Sequence, residues 1–198
     1  MKGINIQGQL PDIQALKVQH GIEGSQIVKA ALAFVKTKYM RQPFALFEQA
    51  QAGRTLPFLL EWQAARMPPA MDVDGPAVQG TLNRIPVNAD EDILSMLSKL
   101  QAEQLHLNKH AYAPQHHLAE ALNKENEGEG EFFKDAFKRQ IFNWLPVPPS
   151  WEFQGLRKVQ IESRTDCGLL WNFVMLDQTT VNVNPTWDDA QLRRSEVE

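Results

Sequence analysis

Residues 24–40, GSQIVKAALAFVKTKYM, constrain the fold more than any other stretch. Ile27, Val28, Ala31, Leu32, Phe34 and Val35 make a helix that is apolar around most of its circumference, with Ser25 placed to cap it. Such a helix must be covered on several sides, so it belongs at the centre of the molecule and needs other elements layered against it.

The remaining sequence supplies those elements. LPDIQALKV places Leu10, Ile13 and Leu16 at helical spacing behind a proline suited to a first turn. FALFEQAQ (44–51) reads as a strand ending at Gly53, and TLNRIPVN (81–88) as another. Between them, 54–80 contains Pro57, Pro68, Pro69, Gly75 and Pro76, which predicts a helix around FLLEWQAAR followed by a long irregular loop. NADEDILSMLSKLQAEQLHLNKH is the clearest helix. Asp90, Glu91 and Asp92 near its start and Lys109 and His110 near its end match the helix dipole, while Ile93, Met96, Leu97, Leu100, Gln104 and Leu107 trace one face.

APQHHLAEALNK continues as a shorter helix after Pro114, and ENEGEGE (125–131) reads as a mobile acidic loop separating two halves. Beyond it RQIFNWLPV, LRKVQIESR, GLLWNFVML and TTVNVNP read as strands, the last two forming a hairpin that turns at Asp177 and Gln178. TWDDAQLRRSEVE reads as a terminal helix capped by Thr186 or Asp188. The expected class is α/β (an α+β sandwich), a mixed β-sheet flanked by helices in a single domain over 1–198. The strand order is not legible.

Composition removes several functions. The net charge of −4 gives no electrostatic footing on phosphate backbones or anionic lipid, so neither nucleic acid nor membrane is an expected partner. No run is long and apolar enough to cross a bilayer, and the start lacks a signal-peptide layout, giving a cytoplasmic expectation. The single cysteine, Cys167, excludes an intrachain disulfide and multi-cysteine metal clusters; at the start of an apolar strand it reads as structural.

The five histidines, His20, His106, His110, His116 and His117, lack zinc spacing, and no metal is expected. His106 and His110 share a helix face, as two metal ligands or as a polar flank. The adjacent pair His116–His117 could transfer protons near neutral pH, but neighbours on a helix diverge, so at most one faces a given site. No phosphate-cradling glycine loop is present, and nothing in composition or spacing supplies a catalytic base.

Five stretches in order resemble the C-terminal lobe of the condensation domains of non-ribosomal peptide synthetases, which have the chloramphenicol acetyltransferase-like fold. GIEGSQIVKAALAFVKTKYM resembles the helix that opens that lobe. FALFEQAQAGR is similar to the strand ending in Ser-Gly-Arg, with Ala52 for the serine before Gly53 and Arg54. DGPAVQGTLNRIPV resembles Gly-Pro-Phe-x-Asn-Thr-x-x-x-Arg, keeping Gly75, Pro76 and Arg84 but carrying Ala77, Gln79 and Gly80 for Phe, Asn and Thr. LQAEQLHLNKHAYAP fits the helix running into His-x-x-x-Pro at His110 and Pro114, and RQIFNWLP resembles the strand bearing the family's asparagine, here Asn143.

The resemblance implies a role in joining an upstream acyl or peptidyl thioester to a downstream amine. Both would be carried on phosphopantetheine arms of carrier proteins that enter a tunnel between two lobes. It implies tunnel or pocket positions for Arg54, Arg84, Asn143 and Trp144. Without it, Arg84 is a strand arginine paired with a surface carboxylate, and Trp144 is core. The family's catalytic His-His-x-x-x-Asp-Gly lies in the N-terminal lobe and is absent here: HHLAEAL carries Ala121 and Leu122 where Asp and Gly would stand.

Two functions follow as expectations. One is a lobe, natural or excised, contributing half of the tunnel and not competent for amide formation alone. The alternative is a standalone repurposed lobe that binds or transforms a small-molecule intermediate by cyclisation or rearrangement, consistent with the chain's own Met1 and compact ending. Partners would be carrier proteins or the missing N-terminal lobe. Self-association through the uncovered lobe face is also expected, helped by an apolar patch of Phe58, Leu59, Leu60, Trp62, Met67 and Met71.

Overall fold

The computed structural model describes residues 2–52, 61–68, 78–145 and 167–193. Their elements are β1 (Lys2–Gly3), β2 (Ile6–Gln9), α1 (Ile13–His20), α2 (Gly24–Met40), β3 (Phe44–Ala52), α3 (Glu61–Ala64), β4 (Val78–Pro86), α4 (Ile93–His110), α5 (Gln115–Glu125), α6 (Glu129–Arg139), β5 (Gln140–Leu145), β6 (Leu169–Met175) and β7 (Thr180–Trp187). The strands form one seven-stranded mixed sheet in the order β1-β7-β6-β5-β3-β4, with β2 also pairing with β7. β3–β5 and β5–β6 are parallel; the other pairs are antiparallel. The mixed sheet flanked by helices agrees with the α/β expectation.

Strand alternation sorts the sheet into two unlike faces. On one, Phe47 of β3, Phe142 of β5 and Phe173 of β6 step across neighbouring strands with ring centroids 5.7 and 5.1 Å apart, joined by the buried Ala45, Ile85 and Met175. α2 and α4 close this face. α2 buries Val28, Ala30, Leu32 and Ala33, and α4 buries Met96, Leu97 and Leu100. Phe47 and Phe142 are fully buried, and truncating either to alanine would cost about 3–5 kcal/mol.

Local chemistry explains where elements start and stop. Asp12 accepts from Ala15 N at 3.0 Å, so α1 begins after an aspartate cap, with Pro11 outside the helix instead of in its first turn. Gly21, at φ 67°, ends α1 in the left-handed region that glycine tolerates. Asp92 caps α4 through Ser95 N at 2.9 Å. The N-cap of α2 is Glu23, without a side-chain cap bond; Ser25 sits inside the first turn.

Several expectations change. The segment 125–131 is not a loop throughout: α5 runs to Glu125 and α6 begins at Glu129, leaving a turn at 126–128 with Gly128 at φ 88°. α6 packs closely on α5, since a Cβ on Gly130 would stand 2.2 Å from Ala119 O. The chain after Pro185 stays extended to Trp187, which pairs with Leu169 and is buried, so Thr186 caps nothing. Asp188 does accept from Ala190 N at 3.0 Å, but it caps a turn at 188–191 and no helix follows through Arg193. The β6–β7 hairpin is present with a longer turn: Met175 pairs with Val181, Leu176 N donates to Thr180 O, and three residues lie between. Strands β1 and β2 were not expected, although Ile4, Ile6 and Leu10 alternate there with Asn5, Gln7 and Gln9. Cys167 is buried. The strand expected at LRKVQIESR lies outside the described residues.

Candidate functional site

Neighbours on a strand point to opposite faces, and this separates the candidate residues. Asn143 and Arg84 lie on the sheet face away from Phe47 and Phe142, whereas Trp144 lies on the face closed by α2 and α4. Arg84 pairs in register with Leu46 and Asn143 with Ala50, four residues further along β3. At strand rise that offset is about 13 Å, so the two do not touch a common atom. Arg54 lies outside the described residues, as do Gly75 and Pro76.

Asn143 is half-buried and donates through Nδ2 to Oδ1 of Asn172 at 2.9 Å. Asn172 pairs in register with Asn143 on one side and Asn184 on the other, so three asparagines stand abreast on β5, β6 and β7. Ala50 and Gly80 continue the row on β3 and β4. The sequence shows three separate asparagines; only the register makes them one polar row. Each amide offers donors and an acceptor, which suits it to a ligand that itself carries amides.

Arg84 is exposed, with its guanidinium over the ring of Phe44, 4.5 Å from the centroid. Among the described residues its neighbour is this aromatic face, not the surface carboxylate expected without a functional role. Trp144 is half-buried against the core, and its Cζ2 lies 3.3 Å from where a Cβ on Gly24 would stand. It also walls a cleft of about 350 Å³ with Ile13, Lys17, Gly24, Met175 and Asp177, at the end of the parallel strands. Core packing and a cleft wall are therefore both properties of this indole.

The most unusual group is one that sequence reasoning missed. Lys29 of α2 is 1% exposed, and its ammonium donates to Gln49 Oε1 at 2.7 Å, to Asn83 Oδ1 at 3.4 Å and to Gln104 Oε1. Burial lowers it to about 7, against the opposing pull of Glu103. Lys36, two turns on, donates to Leu46 O at 2.5 Å and is lowered by burial to about 8. A partial signal was present: two lysines seven residues apart share one face of the helix, here the face turned to the sheet, while Ala31 and Val35 on the far side are exposed. Buried as it is, Lys29 holds β3, β4 and α4 to α2.

Glu48 lies on the same face as Arg84 and Asn143. Burial pushes its carboxyl up to about 7, and the carboxyl folds over Gly80, where a Cβ would stand 1.8 Å from Oε1. The histidines contribute little. His116 and His117 are exposed at the start of α5 with ring centroids 4.1 Å apart, and His106 and His110 are exposed on α4 at 5.0 Å. Among the described residues no group of three or more metal-binding side chains exists, and no helix is long and apolar enough to cross a membrane.

No family model matches the sequence. A linear gramicidin synthase protein of Brevibacillus parabrevis is 22% identical over 187 residues, which is 94% of this chain and 3% of that protein. Among solved structures, the first condensation domain of the CDA synthetase matches at a TM-score of 0.61 and 13% identity, covering 97% of this chain and 41% of that one. The NRPS cyclization-docking bidomain of EpoB from Sorangium cellulosum matches at 0.64 and 11%, covering 99% and 39%. The starter condensation domain of rhizomide synthetase matches at 0.58 and 14%, covering 99% and 42%. The chain thus spans about two fifths of the solved chains and has the fold of one lobe of a non-ribosomal peptide synthetase condensation domain.

Proposed function

We propose that this chain acts as the C-terminal lobe of a condensation-type domain, contributing half of a tunnel in which an amide forms between carrier-bound thioesters. The observation that carries the reading is the fit of nearly the whole chain to about two fifths of the solved condensation domains. In this reading the row Asn143–Asn172–Asn184 meets the amides of a phosphopantetheine arm, and Arg84 reaches the opposite lobe. Trp144 walls the neighbouring cleft. The base that takes the proton from the attacking amine comes from the second lobe, supplied by the same polypeptide or by another. Carrier proteins are the partners. The polypeptide itself needs no bound cofactor.

The test offers the purified chain an acyl-loaded and an aminoacyl-loaded carrier protein and follows amide product by mass spectrometry. The expected result is no product above a protein-free background. Product that disappears in Arg84→Ala would contradict the half-tunnel and favour a lobe that works alone.

A further inference from the structure

The α5–α6 hairpin and the edge of the sheet enclose a cleft to which the half-tunnel reading gives no role. It measures about 290 Å³ and is walled by Leu82, Leu107, Leu118, Phe133 and Phe137, with His110 at its rim. The aromatic wall is built by Phe133 and Phe137, one turn apart on α6 with ring centroids 4.9 Å apart. The hairpin behind it is held by small buried residues, Ala119, Gly130 and Ala136, so the cleft is formed before any ligand arrives.

A carboxyl stands beside two of the residues that line this apolar space. Glu48 pairs in register with Leu82, and its Oε1 lies over Gly80, both of which line the cleft. Gly80 has no side chain to hold the carboxyl away. We propose that this cleft is a binding site for a small hydrophobic primary amine, its ammonium on the Glu48 carboxylate and its apolar body between Leu118 and the Phe133–Phe137 wall. Charge complementarity selects the class: an ammonium removes the cost of an ionised Glu48 in a partly buried place, a carboxylate ligand adds to it, and a neutral hydrocarbon leaves it unchanged. Phenyl rings also accept a cation against their faces. Burial raises the Glu48 carboxyl to about 7, and an ammonium bound beside it would lower that value. The inference does not rest on the condensation reading.

The probes are phenethylamine and 3-phenylpropionate, which differ in the sign of their charge on a similar frame, each titrated into the full chain by calorimetry. The expected result is saturable binding of phenethylamine with a dissociation constant of about 1 mM or tighter, and at least about tenfold weaker binding of the acid. Glu48→Gln should lose about tenfold. Leu118→Trp, at a position 41% exposed, should block the cleft without touching the core, and it decides the matter if Glu48→Gln fails to fold. Equal affinity for the two probes, no binding of the amine, or amine binding unchanged in Leu118→Trp would overturn the proposal.

Discussion

Lys29 Nζ on α2 lies 2.7 Å from Gln49 Oε1 on β3, a charged end group inside the core with amide oxygens around it. Its protonation couples to folding. Unfolded, Lys29 keeps its proton to 10.5; folded, only to about 7. Between these values the unfolded state binds more protons, so stability rises with pH, and the penalty of the buried charge is fully present below about 7. Lys36 acts in the same direction above about 8. Glu48 does the reverse: its folded value of about 7 exceeds its unfolded 4.5, so its favourable contribution is complete below 4.5 and is lost as pH rises through 7. These three groups place a stability minimum near neutral pH. Urea denaturation of the native chain and Lys29→Met across about pH 5–9 should show the alkaline rise flattened in the variant, and equal alkaline slopes would refute the assignment.

Gly80 and Glu48 form a second coupled pair. Gly80→Ala forces the carboxyl aside, and because the clash falls on the movable end of the half-buried Glu48 side chain it should cost no more than about 1 kcal/mol. The double variant Gly80→Ala/Glu48→Ala removes the clash and should be less destabilised than the sum of its parts. Additive losses in a denaturant double-mutant cycle would mean that the two positions do not interact.

Arg84 should matter far more to function than to folding. Its exposed contact with Phe44 is worth about 0.5–1 kcal/mol, so Arg84→Ala should unfold at nearly the native denaturant midpoint. Within an assembled condensation domain the same substitution should lower amide formation at least about tenfold. A large loss of stability with unchanged turnover would assign Arg84 to the scaffold.

The β6–β7 turn depends on one carboxylate. Asp177 Oδ1 accepts from Thr179 N at 2.8 Å and from Thr180 N at 2.7 Å, and these bonds hold its pKa below the ordinary aspartate range. Asp177→Asn keeps an acceptor, whereas Asp177→Ala leaves both amides to water. Hydrogen exchange at Thr179 and Thr180 should therefore accelerate about tenfold or more in Asp177→Ala and much less in Asp177→Asn.

What could be read from sequence followed the strength of the local pattern. α2, α4 and the apolar cores of β3, β5, β6 and β7 carry their periodicity openly. α6 is hidden because its first turn lies in an acidic, glycine-containing run, although Phe133, Ala136 and Phe137 repeat at helical spacing behind it. β1 and β2 are short edge pieces whose order depends on β7, a partner far away in the chain. The polar row needed register, which no local signal encodes: Asn143, Asn172 and Asn184 lie on three strands, two of them separated by a long connection. The split between Asn143 and Trp144 was legible in advance, since adjacent strand residues cannot face the same side.

The central claim is that the asparagine row is one wall of a tunnel for a carrier-borne arm. The measurement that tests it most directly is a titration of the ¹⁵N-labelled chain with an acyl-phosphopantetheinyl carrier protein, following the side-chain amides of Asn143, Asn172 and Asn184. The expected result is saturable shifts at these amides that are absent with the unmodified carrier. Shifts confined to the opposite face of the sheet, or no shifts with the loaded carrier, would contradict the account.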